Sequence, residues 1–169
     1  FLCEKLRSIQ FSKDSQISII DQKSFSYSSI ESISIPKSVT RIGQKSFENC
    51  KKLHTIEFSI DSNLLSIEKE AFNVSSIKSI LIPSNVIRIA EKAFSFCSKL
   101  KSVKFKSNSE LREIENEAFE SSEIEEFFVP SKVNKIGQRA FASCNSLKRV
   151  VFADDCEIFS FENEMFHQS

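Results

Sequence analysis

The chain has 169 residues, 40% of them hydrophobic, and 23 Lys and Arg balance 23 Asp and Glu. That length fits one domain with a core, and only two Gly and three Pro exclude collagen-like and low-complexity chains. The neutral balance lacks the electrostatic footprint of a nucleic-acid binder and a polybasic membrane signal, and the apolar runs are too short to span a bilayer.

In chain order, seven copies of one apolar template begin at Leu6, Ile30, Leu53, Ile77, Leu100, Ile124 and Leu147. Each runs L-x-x-I-x-F, a spacer, then V-x-x-I-x-x-x-A-F. One copy supplies Leu53, Ile56, Phe58, Leu64, Ile67, Ala71 and Phe72. The Phe landmarks Phe25, Phe47, Phe72, Phe94, Phe119, Phe141 and Phe166 lie 22 and 25 residues apart in alternation. The period is therefore a pair of unequal repeats, 47 residues long, and it is obeyed by Pro36, Pro83 and Pro130 and by Cys3, Cys50, Cys97 and Cys144. Short copies place Pro directly after the first apolar block. Long copies use a polar loop such as Ser59-Ile60-Asp61-Ser62-Asn63.

Alternation in the first block predicts a strand, because residues two apart point to one side. The β-branched V-x-x-I block predicts a second short strand. Triplets such as Glu68-Lys69-Glu70 before Ala71-Phe72 have helix-forming composition and predict one helical turn. One coil cannot bury these positions alone; stacked coils bury them as ladders. The expected fold is an α/β solenoid of seven alternating 22- and 25-residue repeats over residues 1–169. A parallel β-sheet forms one face, with short second strands and helical turns on the other.

The string Ile35-Pro36-Lys37-Ser38-Val39-Thr40-Arg41-Ile42-Gly43-Gln44-Lys45-Ser46-Phe47-Glu48-Asn49-Cys50-Lys51-Lys52-Leu53 resembles the BspA-like leucine-rich repeats, and it recurs near Val129 to Leu147 with Gly137, Ala140, Phe141 and Cys144 in place. The resemblance implies a leucine-rich repeat solenoid of the surface-antigen type, on bacterial or protist cell surfaces, linked to adhesion to host or matrix proteins. It transfers no catalytic residue. The chain departs from the pattern in using Ile and Phe for many Leu, and in leaving alternate repeats without Cys. Both ends interrupt a repeat with no recognisable polar cap, as expected of a piece of a longer array; packing of the ends against a second copy, as a homodimer, is the competing reading.

Equivalent cysteines two coils apart stand roughly 10 Å from one another, beyond the ~7 Å a disulfide allows. With no C-x-x-C and only two His, they read as core residues rather than metal ligands, whereas Cys156 falls in a loop as an exposed thiol. Asp21, Glu68, Glu115 and Glu162 repeat every 47 residues. They read as acids opening a helical turn, favoured by its dipole, rather than as a hydrolase pair. His54 and His167 lack triad partners, and no phosphate loop or cofactor motif occurs, so no enzyme is expected. Asn73-Val74-Ser75 is a candidate glycosylation acceptor.

The outward positions of the first strands change character along the stack. The N-terminal half offers Ser8, Ser12, Ser32 and Ser34; the C-terminal half gathers Leu81, Lys104, Lys106, Glu126, Phe128, Arg149 and Val151. Outward Phe and Val beside Arg and Lys have the composition of a protein interface. One residue of slippage would exchange Phe127 and Phe128 between faces. The expected function is binding of a protein ligand at a cell surface through this sheet; the alternative is an intracellular interaction scaffold, which unpaired cysteines suit.

Overall fold

The structure is a computed structural model that describes residues 5–12, 14–156, 158 and 164–169; the repeat residues Cys3 and Glu162 lie outside these. Each first block forms a strand: β1 Ser8–Ile9, β3 Ser32–Ile35, β5 Thr55–Phe58, β7 Ser79–Ile82, β9 Ser102–Phe105, β11 Glu126–Val129 and β13 Arg149–Phe152. Each described V-x-x-I block contributes two residues: β2 Ile19–Ile20, β4 Arg41–Ile42, β6 Ser66–Ile67, β8 Arg88–Ile89, β10 Glu113–Ile114 and β12 Lys135–Ile136.

All ladders are parallel, and like residues sit over like: Ile33 on Ile56, Ile82 on Phe105, Val129 on Phe152. The second strands form one six-stranded sheet. The first strands depart from the expected single sheet. They split into β1-β3-β5 and β13-β11-β9-β7, although the backbone pair Lys78 N to His54 O still bridges the junction at 3.4 Å.

The core is the space between the sheets and the third side of each coil. Ile30, Leu53, Ile77, Leu100 and Ile124 are fully buried, as are Val39, Leu64, Val86, Leu111 and Val133. Phe25, Phe47, Phe72, Phe94, Phe119, Phe141 and Phe166 form one row, each ring stacked on the next with centroids 5.2 to 5.8 Å apart. Stacked aromatics add attraction beyond the area they bury.

The expected helical turns are absent: no helix forms among the described residues. The third side of each coil is a run of tight turns whose amides alternate between two acceptors. In one coil, Ala71, Asn73 and Ser75 donate to the carbonyls of Glu68, Glu70 and Phe72 three residues back. Between them, Glu70, Phe72 and Val74 donate to Glu91, Ala93 and Ser95 of the next coil at 2.8–3.0 Å. A helix would spend every amide within its own segment, and one so short is marginal in water. The turns instead add a third inter-coil ladder. This geometry forces two non-glycine residues per coil into left-handed φ near +56°, Glu70 and Val74 here, and Lys45 and Asn49 in the preceding coil.

Candidate functional site

Strand alternation turns the first and third side chains of β7, β9, β11 and β13 outward in two rows. Ser79 lies beside Ser102, Ser102 beside Glu126, and Glu126 beside Arg149. In the second row Leu81 lies beside Lys104 and Phe128 beside Val151. Leu81, Phe128 and Val151 remain 48%, 49% and 39% exposed.

The slippage question is resolved by Phe127. That ring is 1% exposed and packs against Phe119 at 5.3 Å and edge-on to Phe141 at 4.7 Å. Turning it outward would empty a core site filled by an aromatic ring, a loss on the order of 3–5 kcal/mol. Phe128 therefore faces solvent.

The charged members differ in how they are held. Arg149 Nη2 donates to both carboxylate oxygens of Glu126, at 2.9 and 3.0 Å. Lys106 leans away from the strand rows, and its Nζ donates to the backbone oxygen of Ile60 at 2.6 Å. Lys104 is exposed and forms no ion pair with any described residue. The sequence reading missed Ile60, which is 83% exposed at the tip of a long-coil loop and is joined to this patch by Lys106. Strand alternation assigns faces only within strands, so a loop residue carries no such signal. It also missed Leu65 and Ile87, exposed neighbours on the second-strand side, where Ile87 N donates to Leu65 O at 2.8 Å.

The N-terminal half of the same face is polar. Ser34 donates to Glu57 at 3.1 Å, and His54 pairs with the Thr55 hydroxyl at 2.9 Å. An open hollow of about 530 Å³ lies at its edge, with half-buried Phe11 and Phe58 on either side of Pro36.

The remaining candidates are accounted for by contacts within the stack. Cys50, Cys97 and Cys144 are buried free thiols that donate to the carbonyls of Phe25, Phe72 and Phe119 at 3.0–3.2 Å. Burial pushes the Cys97 thiol up to about 11 and raises Cys50 and Cys144 in the same direction, which suppresses the thiolate needed for nucleophilic or metal chemistry. Cys156 is half-buried rather than exposed, because it packs against the core and its Sγ faces Val133 O at 3.6 Å. No group of metal-binding side chains occurs among the described residues.

The periodic acids do not open helices. Arg88, on the intervening coil, bridges them, reaching both Glu68 oxygens at 2.8 Å and Glu115 at 3.3 Å. Asp21 accepts from the amide of Gln22 at 2.7 Å. His167 is an exposed residue of the final turn. In the Asn73 triplet, Asn73 Nδ2 donates to Ser95 O at 3.2 Å, and Ser75 is buried with its hydroxyl 3.3 Å from Cys97 Sγ. No helix among the described residues is long and apolar enough to cross a membrane.

No curated protein matches the chain. Solved structures do. The pneumococcal vaccine antigen PcpA is 36% identical over 75% of this chain and 31% of its own, with a TM-score of 0.72. A leucine-rich cell surface protein from Faecalibacterium prausnitzii A2-165 is 25% identical over 83% of this chain and 44% of its own, with a TM-score of 0.58. A leucine-rich repeat protein from Bacteroides ovatus ATCC 8483 is 31% identical over 80% of this chain and 29% of its own, with a TM-score of 0.54. The chain thus spans less than half the length of each of these structures. The family model described as BspA type leucine-rich repeat region matches residues 1–85 and 65–169. With its stacked phenylalanines and 47-residue double period running through both matched segments, the chain belongs to the BspA-type leucine-rich repeat family.

Proposed function

We propose that the chain is a non-catalytic recognition module of a cell-surface protein, binding a protein ligand through the C-terminal half of its first-strand face. The observation that carries this reading is the contrast along one continuous surface. Serines and a satisfied Glu57 occupy the N-terminal half, while Leu81, Phe128 and Val151 stand exposed among cations in the other. Aromatic and aliphatic side chains beside Arg are what protein interfaces concentrate, and burying Phe128 and its neighbours supplies favourable free energy of about 25 cal/mol per Å² covered. The structural relatives include a vaccine antigen and a cell surface protein, which supports surface display.

The reading is tested by placing a photo-crosslinking phenylalanine analogue at Phe128 or at Gln138, an exposed residue on the turn side. Each protein is exposed to a panel of soluble matrix and serum proteins. Crosslinking from position 128 alone is expected, and Phe128→Ala combined with Lys104→Glu abolishes capture without altering the far-UV circular dichroism spectrum. Equal crosslinking from both positions would show that the sheet face is not the binding surface.

A further inference from the structure

The chain as a whole is neutral, but the proposed binding face is not. Just before β7, β9, β11 and β13 lie Lys78, Lys101, Glu125 and Lys148, tied in sequence by the amides of Lys101, Glu125 and Lys148 bonding to the carbonyl of the preceding member. With Lys104, Lys106 and Arg149, this half of the face holds six cations against Glu125 and Glu126. Both acids are already occupied. Glu125 lies between Lys101 at 3.5 Å and Lys148 at 3.9 Å, and Glu126 is held by Arg149 at 2.9 Å. The compensating acids are elsewhere: Glu68 and Glu115 are engaged by Arg88 beside the second strands, and Glu70, Glu91 and Glu117 pair with lysines along the turn side.

Resting on the recognition reading above, we infer that the ligand is an acidic protein segment in which carboxylates alternate with apolar side chains. Its central carboxylate would meet Lys104, and its apolar side chains would cover Leu81, Phe128 and Val151. A protein laid over this face removes water from Lys104, which has no acceptor of its own among the described residues. A desolvated, unpaired ammonium opposes association strongly, so the partner must bring the missing anion. A basic segment is excluded by the four-charge excess. A sulfated glycan would satisfy the lysines, but it offers nothing to the exposed apolar side chains, and the acids Glu125 and Glu126 would interrupt its anion row. The excess charge also steers an acidic partner at long range, making the on-rate salt-dependent.

The test selects phage-displayed random dodecapeptides on the immobilised wild-type chain alone and measures binding of the winners to wild type, Phe128→Ser and Lys104→Glu. The expected winners carry net negative charge with acids set between apolar residues. The synthetic winner is expected to weaken about tenfold with Lys104→Glu and by a similar factor between 50 and 500 mM salt, approximate magnitudes for a close charge pair at an interface. Winners that lose binding to Phe128→Ser but carry no acidic excess overturn the acidic-ligand inference and leave the face reading standing. Winners that bind Phe128→Ser and Lys104→Glu unchanged, or no enrichment at all, overturn both. A heparin octasaccharide that binds more tightly than the peptides, and independently of Phe128, assigns the cations to a sulfated glycan and overturns the inference.

Discussion

Ser46 occupies the small-residue position directly before Phe47, where Ala71, Ala93, Ala118 and Ala140 stand in later coils. It is fully buried, and its hydroxyl has no hydrogen-bond partner among the described residues. Ser24 in the same position escapes this cost because it is exposed, and its hydroxyl also donates to Asp21 O at 2.8 Å. An unsatisfied buried hydroxyl costs about 1–3 kcal/mol, and alanine already fits the site four times over. Ser46→Ala is therefore expected to stabilise the chain by about 1 kcal/mol, read as a higher urea midpoint with an unchanged slope. A midpoint that stays the same or falls would mean that the hydroxyl is satisfied. The landmarks themselves were legible at this scale: a Ser or Ala directly before six of the seven Phe landmarks signals a tight position, with Met165 before Phe166 the exception. The missing partner of one hydroxyl was not, because it depends on where the neighbouring coil places its carbonyls.

The turn side shows where reading by element fails. Glu68-Lys69-Glu70 has helical composition in isolation, but intrinsic propensity is worth only tenths of a kcal/mol per residue. The neighbouring coil offers acceptors for Glu70, Phe72 and Val74, and alternate amides take them. This requirement operates between segments some 20 residues apart, and no local window contains it. The strands were legible because their signal is local: alternation in Thr55–Phe58 or Glu126–Val129 directly specifies which side chains face in. The same alternation made the outward patch readable, apart from Ile60 in its loop. The turns also impose a cost at Val74, a β-branched residue held at φ 57°. Asn49 occupies the equivalent place one coil earlier with φ 56°, and Asn tolerates this conformation far better. Val74→Asn is expected to raise stability by about 0.5–1 kcal/mol, provided the Val74 amide bond to Ser95 O at 3.0 Å is retained. A drop in melting temperature would show that the half-buried valine contributes more through packing than its backbone strain costs.

In the whole molecule, each coil packs on its immediate neighbours, with the reach of Lys106 to Ile60 passing over one coil, so stability is close to a sum of coil and interface contributions rather than the property of one indivisible core. The unit of that sum is the 47-residue pair, since long and short coils present different spacers to each other. Removing Leu53 to Lys99 joins Lys52 to Leu100 and brings like against like: Phe47 meets Phe119 in place of Phe72, Ile35 meets Phe105 in place of Phe58, and Lys45 meets Glu117 in place of Glu70. Arg41 takes the place of Arg88 before Glu115, since both occupy the first position of their second strands. The excision also removes β5 and β7, the two strands that flank the break in the first-strand sheet. The shortened chain is expected to fold cooperatively, with β3 and β9 in one ladder and a urea slope reduced by roughly a quarter, in proportion to the surface it no longer exposes. Removing Leu53 to Ile87 instead joins Lys52 to Arg88 and sets a second strand where a first strand belongs. That chain is expected to lose its cooperative transition. Folding of both deletions with equal cooperativity would show that coil register does not hold the molecule together.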